Sequence, residues 1–400
     1  MQKTYISDPK SDLRTLLKYR KFGRLDWNVS ALGFGAMRLP VIGEDQGSID
    51  ETEAIRMIRY AVDHGVNYID TAYSYHSGNS ETVVGKALED GYHEKAKVAT
   101  KMPAWMVNSK KDMDRFLDEQ LRRLQTDQIE FYLLHGLDKE RWFKMQSLNV
   151  LEWADDAIAD GRIRYLGFSF HDKYDVFKDI VDGYDGWTLC QIQYNYMDAD
   201  YQAGTKGLKY AASRGLAVVI MEPNAGGLLA VKPPPEVQAI WEEAKIKRTP
   251  VEWALQWVWN HPEVAVVLSG MSAMNQVVEN VEYASRSDPS TLTEKDLKLI
   301  SRVRKKYLEY GFVGCTGCRY CIPCPNGVDI PEVLAIYNEY YRKRGDTKAQ
   351  QEVVNKYSEM IPPEKSAKQC AKCGECEDKC PQQLPIRSMI ARAVRRFETG

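Results

Sequence analysis

The chain has 400 residues, 44% of them hydrophobic and 28% charged, with 54 Lys and Arg against 56 Asp and Glu. That balance describes a globular protein of more than one domain and leaves out a disordered or low-complexity chain. No basic tract points to nucleic acid, and no apolar stretch reaches the length of a membrane span.

Residues 1–18 read as an N-terminal extension without the charged, apolar and small-residue order of a secretory leader, so the expected location is the cytoplasm. From residue 19 to 290, short apolar runs alternate with amphipathic helical segments. The runs are ALGFGA, VNYID, AKVATK, IEFYLLH, IRYLGFS, TLCQIQY, LAVVIM and VAVVLSG. Eight such units are what a (β/α)8 TIM barrel needs. The glycines of HGVNYID, DGRIRYLGFS and RGLAVVIM fall where a left-handed residue would end a helix before the next strand. Cys190, alone in an apolar context, reads as a buried thiol. The run Pro233 to Pro235 reads as a local turn or stiff loop and not as a linker between domains.

In a parallel barrel the chemistry lies at the C-terminal strand ends. Those ends hold Asp70-Thr-Ala-Tyr-Ser-Tyr75 after the second run, Lys101 after the third and His135 after the fourth. A tyrosine with an unperturbed pKa of about 10 serves poorly in proton transfer near neutrality unless a cation favours its phenolate, and Lys101 can be that cation. Taken singly, Asp70 could cap a helix, Lys101 could snorkel and His135 could be a satisfied barrel-end histidine. Four such types on three consecutive strand ends read together as a catalytic set. Here, from KYRKFGRLDWNVSALGFGAMRLP through VVLSGMSAMNQVVENV, the sequence resembles the aldo-keto reductase family. The resemblance implies a carbonyl or alcohol substrate. It also implies Tyr75 as proton donor to the carbonyl oxygen, Lys101 as the ammonium that lowers the phenol's pKa, Asp70 as the carboxylate holding Lys101, and His135 as a second group on the substrate oxygen.

The same resemblance places Ser169 and Gln191 on a nicotinamide carboxamide, and Gly270, Ser272, Gln276 and Asn280 on phosphate and adenine. Phe170, followed by His171, stands where the family has an asparagine, and Met221 and Glu222 lie where many members stack an aromatic ring. The stretch Ser269 to Asn280 has no Lys or Arg, the usual partners of a 2'-phosphate. NADH is therefore expected over NADPH, while a flavin or no dissociable nucleotide stays open.

Residues 291–311 form an expected linking helix, with Thr293 or Thr291 near its N-cap. Residues 312–400 hold eight of the nine cysteines, in two runs each followed by proline: Cys315, Cys318, Cys321 and Cys324, then Cys370, Cys373, Cys376 and Cys380. Such runs bind iron-sulfur clusters, and four thiolates also suit a structural zinc, although zinc usually draws on separated pairs. The pattern resembles two-cluster bacterial ferredoxins, which implies two [4Fe-4S] clusters in a small, mostly helical domain. The resemblance assigns Cys315, Cys318, Cys321 and Cys380 to one cluster and Cys370, Cys373, Cys376 and Cys324 to the other. The first run closes one residue early, at Cys324. Between the runs, the segment from Ile330 to Met360 reads as helical with a Tyr-rich face.

A nicotinamide moves two electrons together and a cubane one at a time; a flavin ordinarily bridges such steps. The leading reading is an oxidoreductase of a carbonyl or alcohol that exchanges electrons with a ferredoxin-like partner. The others are an electron-transfer or scaffold subunit in which only the clusters act, and an ordinary reductase carrying structural or oxygen-sensing clusters.

Overall fold

Two short antiparallel strands, β1 (Tyr19–Lys21) and β2 (Asn28–Ser30), precede the barrel. The turn between them buries Phe22, whose ring lies 4.8 Å from Phe131 and 5.9 Å from Tyr68, both near the start of their strands. The hairpin thus closes the N-terminal end of the barrel. Its strands are too short for the alternation that makes a strand legible, and the sequence reading did not include them. The computed structural model describes residues 17–43 and 45–398. The expected N-terminal extension, residues 1–18, lies outside them apart from Leu17 and Lys18.

Each of the eight apolar runs is a barrel strand: β3 (Leu32–Gly35), β4 (Tyr68–Asp70), β5 (Lys97–Met102), β6 (Ile129–Leu137), β7 (Ile163–Phe170), β8 (Leu189–Gln193), β9 (Ala217–Met221) and β10 (Val264–Gly270). They pair in parallel in chain order, and β10 returns to β3 to close the (β/α)8 barrel. Parallel strands need crossovers, and helices supply them. In Lys110–Leu124, Met113, Phe116, Leu117, Gln120 and Leu124 are buried at helical spacing, which turns one stripe toward the sheet. Truncating a fully buried ring such as Phe116 to alanine costs about 3–5 kcal/mol.

The helix Glu294–Tyr310 begins at a capping box of Thr293 with Asp296 and ends at Gly311 in the left-handed region. Its apolar face packs against Trp241, Trp253 and Leu229 on the barrel's flank. Beyond it, helices Ile330–Arg342, Thr347–Met360 and Ile386–Phe397 share a second core built on Val333, Leu334, Tyr357 and Ile390, against which most of the run cysteines pack. The insert's tyrosines belong to this packing: Tyr357 stacks on Phe397 at 4.6 Å, and Tyr337 meets Tyr341 at 4.7 Å.

This helical region seats on the C-terminal end of the barrel. Tyr201 donates to the Gln382 carbonyl at 2.6 Å, Gln202 to the Pro381 carbonyl at 2.9 Å, and Gln383 to the His171 carbonyl at 3.2 Å. On the other side, Arg38 donates to the Thr316 carbonyl. Gly226, with φ 67°, makes room for that loop, because a Cβ there would come within 2.3 Å of the Thr316 Cα.

Candidate active site and cysteine cavities

Asp70 ends β4, Lys101 lies on β5 and His135 on β6, while Tyr75 opens the turn that follows β4. The Lys101 ammonium is 1% exposed and donates to Asp70 Oδ1 at 2.5 Å, to the Thr71 carbonyl at 2.7 Å and to the Tyr75 hydroxyl at 3.3 Å. Tyr75 and His135 meet edge to face, with centroids 5.9 Å apart. The turn bearing Tyr75 needs support, since His76 and Ser77 both adopt positive φ. His76 supplies it: Nδ1 donates to the Gln46 carbonyl at 2.7 Å, and Nε2 accepts from the Leu39 N–H at 3.0 Å.

Burial sets the protonation of this group. It raises the Asp70 carboxyl and lowers the Lys101 ammonium, each opposed by the other's charge. His135 is held well below the ordinary imidazole range by burial and then by the Lys101 charge, so the ring is neutral. The Tyr75 phenol moves well above its usual value, through burial first and then through Tyr320 and Asp70. The phenol is a protonated donor near neutrality.

Asp70, Tyr75 and His135 line a cavity of about 510 Å3. Ser169, Gln191, Gly270, Ser272, Gln276 and Asn280 line it too. Gln191 is 1% exposed; its Nε2 donates to Asp70 Oδ2 at 3.1 Å, and its Oε1 has no partner among the described residues. Ser169 accepts from the Gly136 N–H at 2.7 Å, which leaves its own hydroxyl proton to donate. A free acceptor beside a free donor fits a carboxamide. Further along, Gln276 accepts from the Ser272 N–H at 2.8 Å and Asn280 donates to Ser269 at 3.0 Å.

Sequence reasoning missed Arg38 in this wall, and it singled out Glu222 only by its position where many members stack an aromatic ring. Arg38, just after β3, packs its methylenes against Gly270 and brings a cation to a stretch that has none of its own. Glu222, at φ 55°, accepts from the Gly226 N–H at 2.6 Å, and burial raises its carboxyl against the opposing charge of Arg38.

The cysteines surround two smaller cavities. Cys315, Cys318, Cys321 and Cys380 line one; Cys324, Cys370, Cys373 and Cys376 line the other. Each cavity thus takes three cysteines from one run and one from the other. A zinc ion would draw its sulfurs to about 2.3 Å from a single point. Among the described residues no three His, Cys, Asp or Glu side chains converge closely enough to hold one metal ion. Four thiols around each cavity are the donor set that a [4Fe-4S] cluster takes.

The first cysteine cavity abuts the large one. Thr316, Cys318, Tyr320, Pro381 and Gln382 form part of the large cavity's wall, and Cys318 lines both. The Tyr320 hydroxyl lies 3.2 Å from His135 Nε2. Cys373, in the second cysteine cavity, is exposed.

A barrel with a buried lysine-carboxylate pair and a phenol at its strand ends, capped by a cysteine-rich module, defines a redox enzyme. The chain belongs to the aldo/keto reductase family, whose model matches residues 31–305, and a 4Fe-4S dicluster domain matches residues 314–384. The uncharacterized oxidoreductase YqkF of Bacillus subtilis is 26% identical over 72% of this chain and 97% of its own length, and L-galactose dehydrogenase of Arabidopsis thaliana is 26% identical over 72% and 95%. Among solved structures, the holo form of an aldo-keto reductase from Bacillus halodurans aligns with a TM-score of 0.60 at 30% identity, covering 72% of this chain and 96% of that one. An aldo-keto reductase from Klebsiella pneumoniae in complex with NADPH aligns with a TM-score of 0.58 at 25% identity, covering 72% and 95%. No helix among the described residues is long and apolar enough to cross a membrane.

Proposed function

We propose that this enzyme reduces or oxidises a carbonyl or alcohol while exchanging electrons through two [4Fe-4S] clusters. The observation that carries the reading is Cys318, which lines both a cysteine cavity and the cavity of Tyr75 and His135. In this reading Cys315, Cys318, Cys321 and Cys380 hold an inner cluster at the wall of the catalytic cavity. Cys324, Cys370, Cys373 and Cys376 hold an outer one, reached through exposed Cys373 by a ferredoxin-like electron partner. The functional division is a barrel over 19–290, a linking helix over 291–311 and the cluster module over 312–400.

Within the cavity, Tyr75 gives its phenolic proton to the carbonyl oxygen and takes it back from the alcohol in reverse. Lys101, fixed by Asp70, places its charge 3.3 Å from that hydroxyl and steadies the phenolate left behind. Neutral His135 is the second group on the substrate oxygen. Ser169 and Gln191 hold a nicotinamide carboxamide, and Gly270, Ser272, Gln276 and Asn280 the rest of the nucleotide. NAD(H) is the form proposed, because Arg38 is engaged by the Thr316 carbonyl and faces Glu222. When bound, a nicotinamide supplies a hydride and each cluster a single electron; a flavin in the same cavity would bridge the two.

Anaerobic turnover of a carbonyl found by screening small aldehydes, ketones and sugars tests the reading. Tyr75→Phe, which removes one hydroxyl, is expected to slow turnover roughly 100-fold or more with iron content unchanged. Unchanged turnover would leave the clusters as the sole seat of function.

A further inference from the structure

A carbonyl oxygen only accepts hydrogen bonds, so His135 can serve it only through a ring nitrogen that carries a proton and is not buried. Nδ1 is not that nitrogen: His135 is 5% exposed, and its Nδ1 is buried with no hydrogen-bond partner among the described residues. Nε2 remains, and it is taken. The Tyr320 hydroxyl lies 3.2 Å from it. That phenol and Tyr75 flank the same imidazole, each meeting it edge to face, with centroids 6.2 Å and 5.9 Å away. After burial, Tyr320 is the largest influence on the Tyr75 phenol, which places the two side chains near each other. The Tyr320 oxygen therefore sits on His135 Nε2 and close to the proposed proton donor, where the oxygen of a bound carbonyl has to be.

Tyr320 does not come from the barrel. It lies between Cys318 and Cys321, on a loop fixed to the barrel by Arg38 on the Thr316 carbonyl and by the close approach of Thr316 to Gly226. Half-buried, it also meets Trp105 at 5.9 Å and lines the catalytic cavity. A phenol can donate or accept, so it engages Nε2 in either tautomer of the neutral ring, including the one that a carbonyl needs. A substrate oxygen reaches Nε2 only by breaking that contact. When the form of a protein that can bind is a fraction of the whole, the apparent affinity falls by that fraction.

We infer that Tyr320 sets the enzyme's affinity for its carbonyl: its hydroxyl holds the substrate oxygen's place on His135, and each substrate must displace it. The inference rests on the proposed role of His135, and a double-mutant cycle separates the two. Turnover of the screened carbonyl is measured anaerobically in the full chain for wild type, Tyr320→Phe, His135→Ala and the double variant, with iron counted in each. Tyr320→Phe deletes the competing hydroxyl, and one neutral hydrogen bond corresponds to about a fivefold effect, so kcat/KM is expected to rise about fivefold through a lower KM. Loss of a contact that helped catalysis would move kcat/KM the other way. In the His135→Ala background there is no bond to break, and the same substitution is expected to leave KM unchanged. If no carbonyl is turned over, or His135→Ala leaves turnover unchanged, the proposed role of His135 fails, and this inference with it. If His135→Ala is harmful but Tyr320→Phe leaves KM the same, raises it, or lowers it equally in both backgrounds, the hydroxyl does not compete for Nε2, and the inference falls while the role of His135 stands. Loss of iron in Tyr320→Phe would also overturn the inference, since the hydroxyl would then be needed to hold the loop and could not be given up to a substrate.

Discussion

Replacing Lys101 by methionine isolates the buried charge pair. The substitution keeps an unbranched side chain of similar length and removes the ammonium, leaving Asp70, 3% exposed, with only the Gln191 donor at 3.1 Å on its side-chain oxygens. Removing one partner of a buried ion pair costs about 3–5 kcal/mol, because the remaining charge cannot return to water. Asp70 can relieve this by taking up a proton. Its carboxyl is already raised by burial, and without Lys101 the opposing influence is gone. A carboxyl whose folded pKa exceeds its unfolded one binds its proton more tightly in the folded state. The variant should therefore approach wild-type stability below the unfolded value of about 3.9 and lose ground as pH climbs from there to the folded pKa. Urea denaturation followed by tryptophan fluorescence reports on the barrel, since all nine tryptophans precede residue 260. Adding Asp70→Asn should restore most of the lost stability while turnover stays low. Equal stability of Lys101→Met and wild type at pH 8, with no dependence on pH, would refute a charged buried pair at this site.

Anaerobic protein should contain about eight iron atoms per chain, and Cys324→Ser should lose the outer cluster's electron paramagnetic resonance signal while keeping the inner one. Retention of both signals would show that the shortened run is ligated by other atoms. Fluorescence titration should find NADH bound more tightly than NADPH. The opposite order, disappearing in Arg38→Ala, would assign a 2'-phosphate to that guanidinium.

The barrel was legible because each of its strands is a short apolar run closed by a polar loop, and Gly65, Gly161 and Gly215 do end helices at positive φ. The N-cap was legible only as Thr293 or Thr291, since each precedes an acidic residue by three; the structure selects Thr293, whose side chain accepts from the Asp296 N–H. Asp70, Tyr75, Lys101 and His135 could be named from type and position at consecutive strand ends. Tyr320 and Arg38 could not. Tyr320 reaches His135 because Arg38 on the Thr316 carbonyl and the close approach of Thr316 to Gly226 hold its loop against the barrel. Arg38 meets Gly270 only because β10 closes on β3. The direction of the Tyr75 shift was also out of reach, because it depends on how much water burial removes from a phenol whose sequence neighbours are unremarkable.

The exchange of one cysteine between the two cavities has a consequence for how the protein matures. Cys315, Cys318 and Cys321 are synthesised before two helices, Ile330–Arg342 and Thr347–Met360, while the cysteine that completes their cavity is Cys380. The outer set is likewise incomplete until Cys370, Cys373 and Cys376 join Cys324. With the ligand sets proposed above, neither site would have its four sulfurs while the first run alone has left the ribosome, and complete iron loading would await the second run and the folding of the helices between. The barrel, all of whose strands come earlier, can form ahead of any cluster.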